Sequence, residues 1–279
     1  VPETAFINGR FLPLADATVS VEDRGFQFGD GIYEVIRTYG GRPFKLESHL
    51  ARLERSAQAI GLRQPYTRER WAQYILEGLR LAAFPEAKIY LQVTRGAAPR
   101  DHAYAQELEP TVVMTVRDLR PPNPTVQAAG VQAMTMEDIR WGRCDIKSVN
   151  LLANVLARQQ ATRAGVFEAI LIREGRVTEG SVSNVMVVHN GILVTAPEGA
   201  HILSGVTRGI VLDLARQEGI SVQERYCSRQ ELMEAAEVFL TGTTVEVLGV
   251  VRIDGQPIGS GAPGPVTRSL AKRFHEQTG

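Results

Sequence analysis

The chain has 279 residues, 44% of them hydrophobic and 22% charged, and its 31 basic and 31 acidic side chains cancel to a formal net charge of zero. Those values fit a soluble globular protein of one large or two medium domains with ample core, and they offer no electrostatic footprint for nucleic acid or an anionic membrane surface. Two cysteines, Cys144 and Cys227, make neither a disulfide framework nor a C-x-x-C pair, no apolar run reaches spanning length, and no charged-then-apolar leader opens the chain, so the expectation is a cytoplasmic protein.

The first predicted element is a hairpin. Phe6-Ile7-Asn8-Gly9-Arg10-Phe11-Leu12 sets an Asn-Gly turn between apolar residues, the pair that best accepts positive φ in a tight turn. A glycine-punctuated stretch, Asp23-Arg24-Gly25-Phe26-Gln27-Phe28-Gly29-Asp30-Gly31, leads into a strand over 32–39. There Tyr33, Val35 and Arg37 share one face and Ile32, Glu34 and Ile36 the other; the alternation leaves open which is buried. Helical spacing of Leu50, Leu53, Ala57 and Ile60 predicts a helix over 47–60 that stops at Gly61, with Arg52 off the apolar stripe. A second helix follows Thr67 along Trp71, Ile75 and Leu79, and strands follow over 88–95 and 111–117.

The connection 96–110 is longer than compact domains usually keep outside binding or disordered segments. It carries Pro99-Arg100-Asp101-His102-Ala103-Tyr104. A guanidinium and an imidazole two residues apart can converge on a small carboxylate, although position alone fits a solvated loop as well. Pro121, Pro122 and Pro124 make a stiff spacer, expected not to enter a helix or central strand. The expected organisation is a small α/β domain over 1–120, a proline-rich linker over 121–124, and a larger β-rich domain over 125–279.

Beyond a strand at 131–136 comes Arg143-Cys144-Asp145-Ile146-Lys147-Ser148-Val149-Asn150. A helix is predicted over 149–163, with Val149, Leu152 and Leu156 on one face, Ser148 or Asn150 as its cap, and Gly165 beyond its end. Only four of the basic residues are lysines: Lys45, Lys88, Lys147 and Lys272. Arginine keeps its proton, whereas a partly desolvated lysine can become the neutral amine that Schiff-base chemistry needs. Hairpins are predicted around Glu174-Gly175 and Asn190-Gly191. Leu203-Ser204-Gly205-Val206-Thr207-Arg208 opens a helix to about 217 with Val206, Ile210 and Leu214 on one face, and a strand over 237–240 ends in Thr241-Gly242-Thr243-Thr244. Such a helix start beside threonine hydroxyls suits a phosphate or carboxylate, and equally a capped helix beside a threonine-rich turn. A hairpin at Asp254-Gly255 and a helix over 267–277 close the chain. There is no G-x-G-x-x-G, phosphate loop or G-x-S-x-G, and the five histidines lack metal-ligand spacing, so no metal is expected.

One further segment, Val177-Thr178-Glu179-Gly180-Ser181-Val182-Ser183-Asn184, completes an ordered set with the lysine, the S-G-V-T-R segment and T-G-T-T. Together they resemble the fold-type IV pyridoxal-phosphate enzymes, over essentially the whole chain. The resemblance implies an α/β (α+β) fold whose larger domain is a β-rich pseudo-barrel, with pyridoxal 5'-phosphate in the cleft between the domains. It implies that Lys147 forms the Schiff base and then moves the substrate α-proton, and that Glu179 pairs with the pyridine nitrogen. Arg52, Val206, Thr207, Gly242 and Thr243 would hold the phosphate; some relatives have a serine where this chain has Gly242. Arg100 and His102, with Tyr33, resemble the carboxylate trap of the family's D-amino acid aminotransferases, in which the loop (here 96–110) reaches the active site of the partner in a homodimer. The expected reaction is amino transfer between a D-amino acid such as D-alanine and a 2-oxo acid such as 2-oxoglutarate. Alternatives are a branched-chain L-amino acid aminotransferase, an aminodeoxychorismate lyase, or an inactive binding protein on the same scaffold.

Overall fold

The computed structural model describes residues 4–105 and 107–278. By contact density the chain forms two units, one of residues 1–121 with 146–150, the other of residues 122–145 with 151–279. Five residues around Lys147 therefore pack with the first unit, although the sequence expectation placed them inside the domain 125–279. The reason is hydrogen bonding to a first-unit strand, described below.

The first unit holds β1 (Thr4–Ile7), β2 (Arg10–Pro13), α1 (Arg24–Phe28), β3 (Gly31–Tyr39), β4 (Arg42–Pro43), α2 (Leu46–Ala59), α3 (Arg68–Ala82), β5 (Ala87–Thr94) and β6 (Thr111–Asp118). Its strands make an antiparallel sheet in the order β2-β1-β6-β5-β3-β4. The Asn-Gly hairpin forms as read, with Asn8 at φ 46° and Gly9 at φ 94°. Ile32 and Ile36 of β3, Leu50 and Leu53 of α2, and Trp71 and Ile75 of α3 share one core with β5 and β6. The face of β3 that the sequence left undecided is thereby settled: Ile32, Glu34 and Ile36 are all fully buried. Full burial of six such aliphatic and aromatic side chains stabilises by roughly 1.5–3 kcal/mol each.

The second unit holds α4 (Pro124–Ala129), β7 (Val131–Glu137), α5 (Leu152–Arg163), β8 (Glu168–Arg173), β9 (Arg176–Gly180), β10 (Asn184–His189), β11 (Ile192–Thr195), α6 (Val206–Gln217), β12 (Val222–Glu224), β13 (Cys227–Ser228), α7 (Arg229–Met233), β14 (Glu237–Gly242), β15 (Glu246–Ile253), β16 (Gln256–Pro257) and α8 (Pro265–Glu276). Its sheet runs β12-β11-β10-β14-β15-β7-β8-β9-β13, with β16 on β15. The pairings β11–β12, β15–β7 and β7–β8 are parallel, the rest antiparallel.

Four local expectations differ. Pro124 does enter a helix, as the first residue of α4 behind an Asn123 cap, where its missing N–H is no loss. Helix α5 starts at Leu152, three residues later than predicted, and neither Ser148 nor Asn150 caps it. Its buried residues are Ala157 and Ala161, packed on Ala169 and Leu171 of β8, while Leu152 and Leu156 are exposed. Small residues let this helix sit close to the sheet, which the larger leucines would prevent. In α6 the buried face is Val211, Leu212, Leu214 and Ala215, and Ile210 is only partly covered.

Candidate active site

The lysine is placed by its main chain. The Tyr33 N–H donates to the Lys147 carbonyl at 2.9 Å, the Val149 N–H donates to the Gly31 carbonyl at 3.0 Å, and Ser148 bridges Ile32 in antiparallel fashion. The segment thus extends the pairing of β3. The Lys147 N–H donates to Ser56 Oγ of α2 at 3.2 Å, and Ile146 joins the first-unit core. Asn150 Nδ2 donates to the Gly29 carbonyl at 2.9 Å. Gly29 is required there twice over, by its φ of 69° and because an added Cβ would fall 2.4 Å from Asn150 Oδ1. The half-buried Lys147 carries Nζ 4.3 Å from the ring centroid of Tyr33. Tyr33 stacks in turn on Tyr90, whose phenol is pushed up to about 12 by burial and by Tyr33.

Glu34 and His49, beside this segment, were not singled out in the sequence. Arg52 Nε and Nη2 donate to the two oxygens of Glu34 at 2.7 and 2.9 Å, and His49 Nδ1 lies 2.8 Å from Oε2. Burial works to raise the Glu34 carboxyl, but the Arg52 charge and its hydrogen bonds outweigh it and hold it well below the carboxylate range. Burial, with the charges of Arg52 and Lys147, lowers the His49 pKa against the pull of Glu34. The available signal was Glu34 alternating with Ile32 and Ile36: a carboxylate on a buried strand face needs a buried partner. Arg52 itself is 5% exposed.

Arg100 and His102 are exposed and gather around Phe28 of α1. The Arg100 guanidinium lies 4.6 Å from the Phe28 ring centroid and donates to the Gln27 carbonyl at 3.4 Å; the His102 ring lies 5.3 Å from that of Phe28. Of the connection 96–110, Gln106 lies outside the described residues.

Glu179, on β9, is clamped at its carboxylate instead. Oε2 accepts from Asn184 Nδ2 at 2.9 Å and from the Leu203 N–H at 3.0 Å, and Oε1 accepts from Arg140 Nη1. Arg140 also donates to both oxygens of Asp138 at 2.9 and 2.8 Å and to the His201 carbonyl at 3.1 Å, while Arg173 lies 3.2 Å from Asp138. Burial opposes the charge on Arg140, yet Asp138 and Glu179 hold its pKa above the ordinary value. Burial likewise opposes ionisation of Asp138, and Arg140 lowers it nonetheless. The two serines after Glu179 have a folding role: Ser181 Oγ and Ser183 Oγ donate to Glu168, which is fully buried. They close the turn that presents the acid.

Asn184 links this acid to the start of α6. An added Cβ on Gly205 would fall 2.0 Å from Asn184 Oδ1, so only glycine fits, and Asn184 pairs in register with Thr241 of β14. Among the described residues no side chain caps α6 at Gly205, which leaves the N–H groups of Val206 and Thr207 for another acceptor. Thr207 is buried, and Thr241 Oγ1 is buried without a hydrogen-bond partner among the described residues. Gly242 and Thr243, half-buried, follow directly. This donor set fits a phosphate. Among the described residues no group of three or more His, Cys, Asp or Glu is placed to hold a metal ion, and no helix is long and apolar enough to cross a membrane.

The amino-transferase class IV family model matches residues 31–253, and the chain belongs to that family. Its fold is correspondingly close to solved members. The Escherichia coli branched-chain amino acid aminotransferase aligns with a TM-score of 0.92 at 26% identity, covering 99% of this chain and 94% of that one. The branched-chain amino acid aminotransferase of Thermobaculum terrenum, solved in its PLP form, aligns at 0.86 and 28% identity, covering 99% and 94%. In sequence the chain is 46% identical over 263 residues to the D-alanine aminotransferase of Bacillus licheniformis, covering 94% of this chain and 93% of that relative.

Proposed function

We propose that the protein catalyses reversible amino transfer between D-amino acids, D-alanine among them, and 2-oxo acids, with pyridoxal 5'-phosphate as cofactor. The family supports transamination, and 46% identity to a D-alanine aminotransferase favours D-amino acids over the branched-chain substrates of structural neighbours at 26% identity. When bound, the cofactor supplies an aldehyde that condenses with primary amines and a protonated ring that accepts an electron pair. The single observation that carries the assignment is the Glu179 carboxylate, fixed by Arg140, Asn184 and the Leu203 N–H.

In this reading Lys147 Nζ is the amine that anchors the cofactor and, once displaced, the base that removes the proton from the substrate Cα. Glu179 keeps a proton on the ring nitrogen. The N–H groups of Val206 and Thr207, the Thr207 hydroxyl, and Gly242 and Thr243 hold the phosphate, and Arg52 adds its charge to that task. Arg100, His102 and Tyr33 grip the substrate carboxylate. Which side of the pocket holds that carboxylate decides which enantiomer turns its Cα–H toward Lys147.

A homodimer is the proposed working unit, with loop 96–110 serving the partner's active site. Leu152, Val155 and Leu156, within two turns of α5, are all exposed and suit a protein-protein contact. The two cysteines are buried and unpaired, which fits the cytoplasm. Absorbance spectroscopy tests the activity: D-alanine should convert the aldehyde form of the cofactor to its amine form, and L-alanine should not. Conversion by L-leucine alone would overturn the assignment.

A further inference from the structure

The glycine-punctuated stretch and loop 96–110 meet in a charged cluster inside the first unit. Asp30 Oδ2 accepts from Arg24 Nε at 2.9 Å and from Arg95 Nε at 2.8 Å. Both arginines are nearly fully buried, at 3% and 6% exposure. One carboxylate thus serves two buried guanidiniums, whose remaining donors need neutral acceptors. Arg95 finds them on the Ile60 and Gly61 carbonyls, at 2.8 and 3.0 Å. Arg24 finds them on the loop itself, donating to the Asp101 carbonyl at 2.6 Å and the His102 carbonyl at 3.2 Å. Tyr104 lies over both guanidiniums, 3.8 Å from Arg95 and 5.4 Å from Arg24. The root of the loop is fixed by the same elements: the Arg24 N–H donates to the Gly96 carbonyl at 2.9 Å, and Asp23 bridges Ala97.

We propose that Arg24, oriented by Asp30, is a positioning residue for substrate recognition, setting the main chain of 101–102 so that Arg100 and His102 present one fixed geometry to a substrate carboxylate. The inference rests on the reading of Arg100 and His102 as the carboxylate grip. Its physical basis is coupling: moving the loop away leaves the two Nη donors of a buried guanidinium without their acceptors, so the cluster and the loop conformation support each other. Phe28 extends the link to the side chains, since Arg24 lies 4.8 Å from one ring that both Arg100 and His102 contact.

The test is steady-state kinetics of the holoenzyme with D-alanine and 2-oxoglutarate, on Arg24→Met, Arg100→Ala and the double variant. Arg24→Met should raise KM for both substrates about tenfold, equivalent to roughly 1.4 kcal/mol, with kcat within about twofold. The double variant should fall well short of the combined single effects, because with Arg100 gone Arg24 has only the His102 side of the grip left to position. Additive effects, or an unchanged KM in folded Arg24→Met beside a raised KM in Arg100→Ala, would overturn the positioning role alone. An unchanged KM in Arg100→Ala would overturn the carboxylate reading and this inference with it. Should Arg24→Met fail to fold, Tyr104→Leu, at a half-exposed position, carries the same comparison: a two- to threefold rise in KM supports the coupling and no rise rejects it.

Discussion

Lys147 and Glu179 are held in opposite ways. The lysine is fixed through its backbone, by pairing with β3 and a bond to Ser56, and its long side chain extends beyond these anchors. Glu179 is fixed at the carboxylate itself, by a guanidinium, an amide and a main-chain N–H. The difference matches the role proposed for each. An amine that bonds, is displaced and then moves a proton needs an exact root and rotamer freedom. An acid that only maintains a charge works best when fixed donors already hold its carboxylate in place and leave one acceptor position for the ring N–H, because preorganised groups need not reorganise during reaction.

The largest effect that bears on this contrast should come from Lys147→Ala, which ought to lower kcat by about four orders of magnitude. The change removes a half-buried side chain and none of the main-chain bonds, so thermal unfolding should shift by no more than roughly 0.5 kcal/mol. A collapsed fold would show that the side chain, rather than the backbone, anchors the segment. Next is Arg140→Met, which takes a buried guanidinium from Asp138 and Glu179, leaving Arg173 and Thr178 on the first and Asn184 and the Leu203 N–H on the second, and should cost roughly 3 kcal/mol in denaturant unfolding as well as activity. Glu179→Gln should lower kcat by about a hundredfold or more while leaving unfolding nearer the wild type, since Arg140 keeps Asp138. Smallest is Ser56→Ala, expected to cost about 1 kcal/mol and to change kcat only a few-fold.

A pH titration sharpens the comparison from another side. Glu34, Asp30 and Asp138 all have carboxyls lowered in the fold, each by arginines acting against burial. A lowered carboxyl gives stability that is present above its unfolded value near ~4 and is lost as pH falls through the folded value. Unfolding free energy should therefore decline below about pH 4, and Glu34→Gln should flatten that decline while lowering stability at neutral pH. His49, also lowered, contributes on the same side of its own range: protonation destabilises as pH falls from about 6.5. A decline that Glu34→Gln left unchanged would show that this cluster carries none of the acid sensitivity.

Several elements were legible because local chemistry alone dictates them. The turns at Asn8-Gly9, Asn190-Gly191 and Asp254-Gly255 all adopt positive φ in hairpins, as their residue types require. The apolar stripe of α2 is buried as its spacing demands. Other signals misled for identifiable reasons. Leu152 and Leu156 have helical spacing, but spacing shows that residues share a face and not which face is covered; close packing against β8 selected the alanines. Asn150 has capping chemistry, yet its amide is spent on Gly29.

The sequence by itself determined the family motifs, the scarcity of lysine that sets Lys147 apart, and most hairpins and helices, because those follow from composition, periodicity and turn chemistry within a few residues. Only the tertiary structure decided that Glu34 would meet Arg52, that Arg140 would reach Glu179, and that Arg24 would hold the loop of Arg100 from far along the chain. The physical reason is that a buried charge must find a partner, and the sequence announces the need without announcing the partner. That choice is made by strand register and loop path, which only folding fixes.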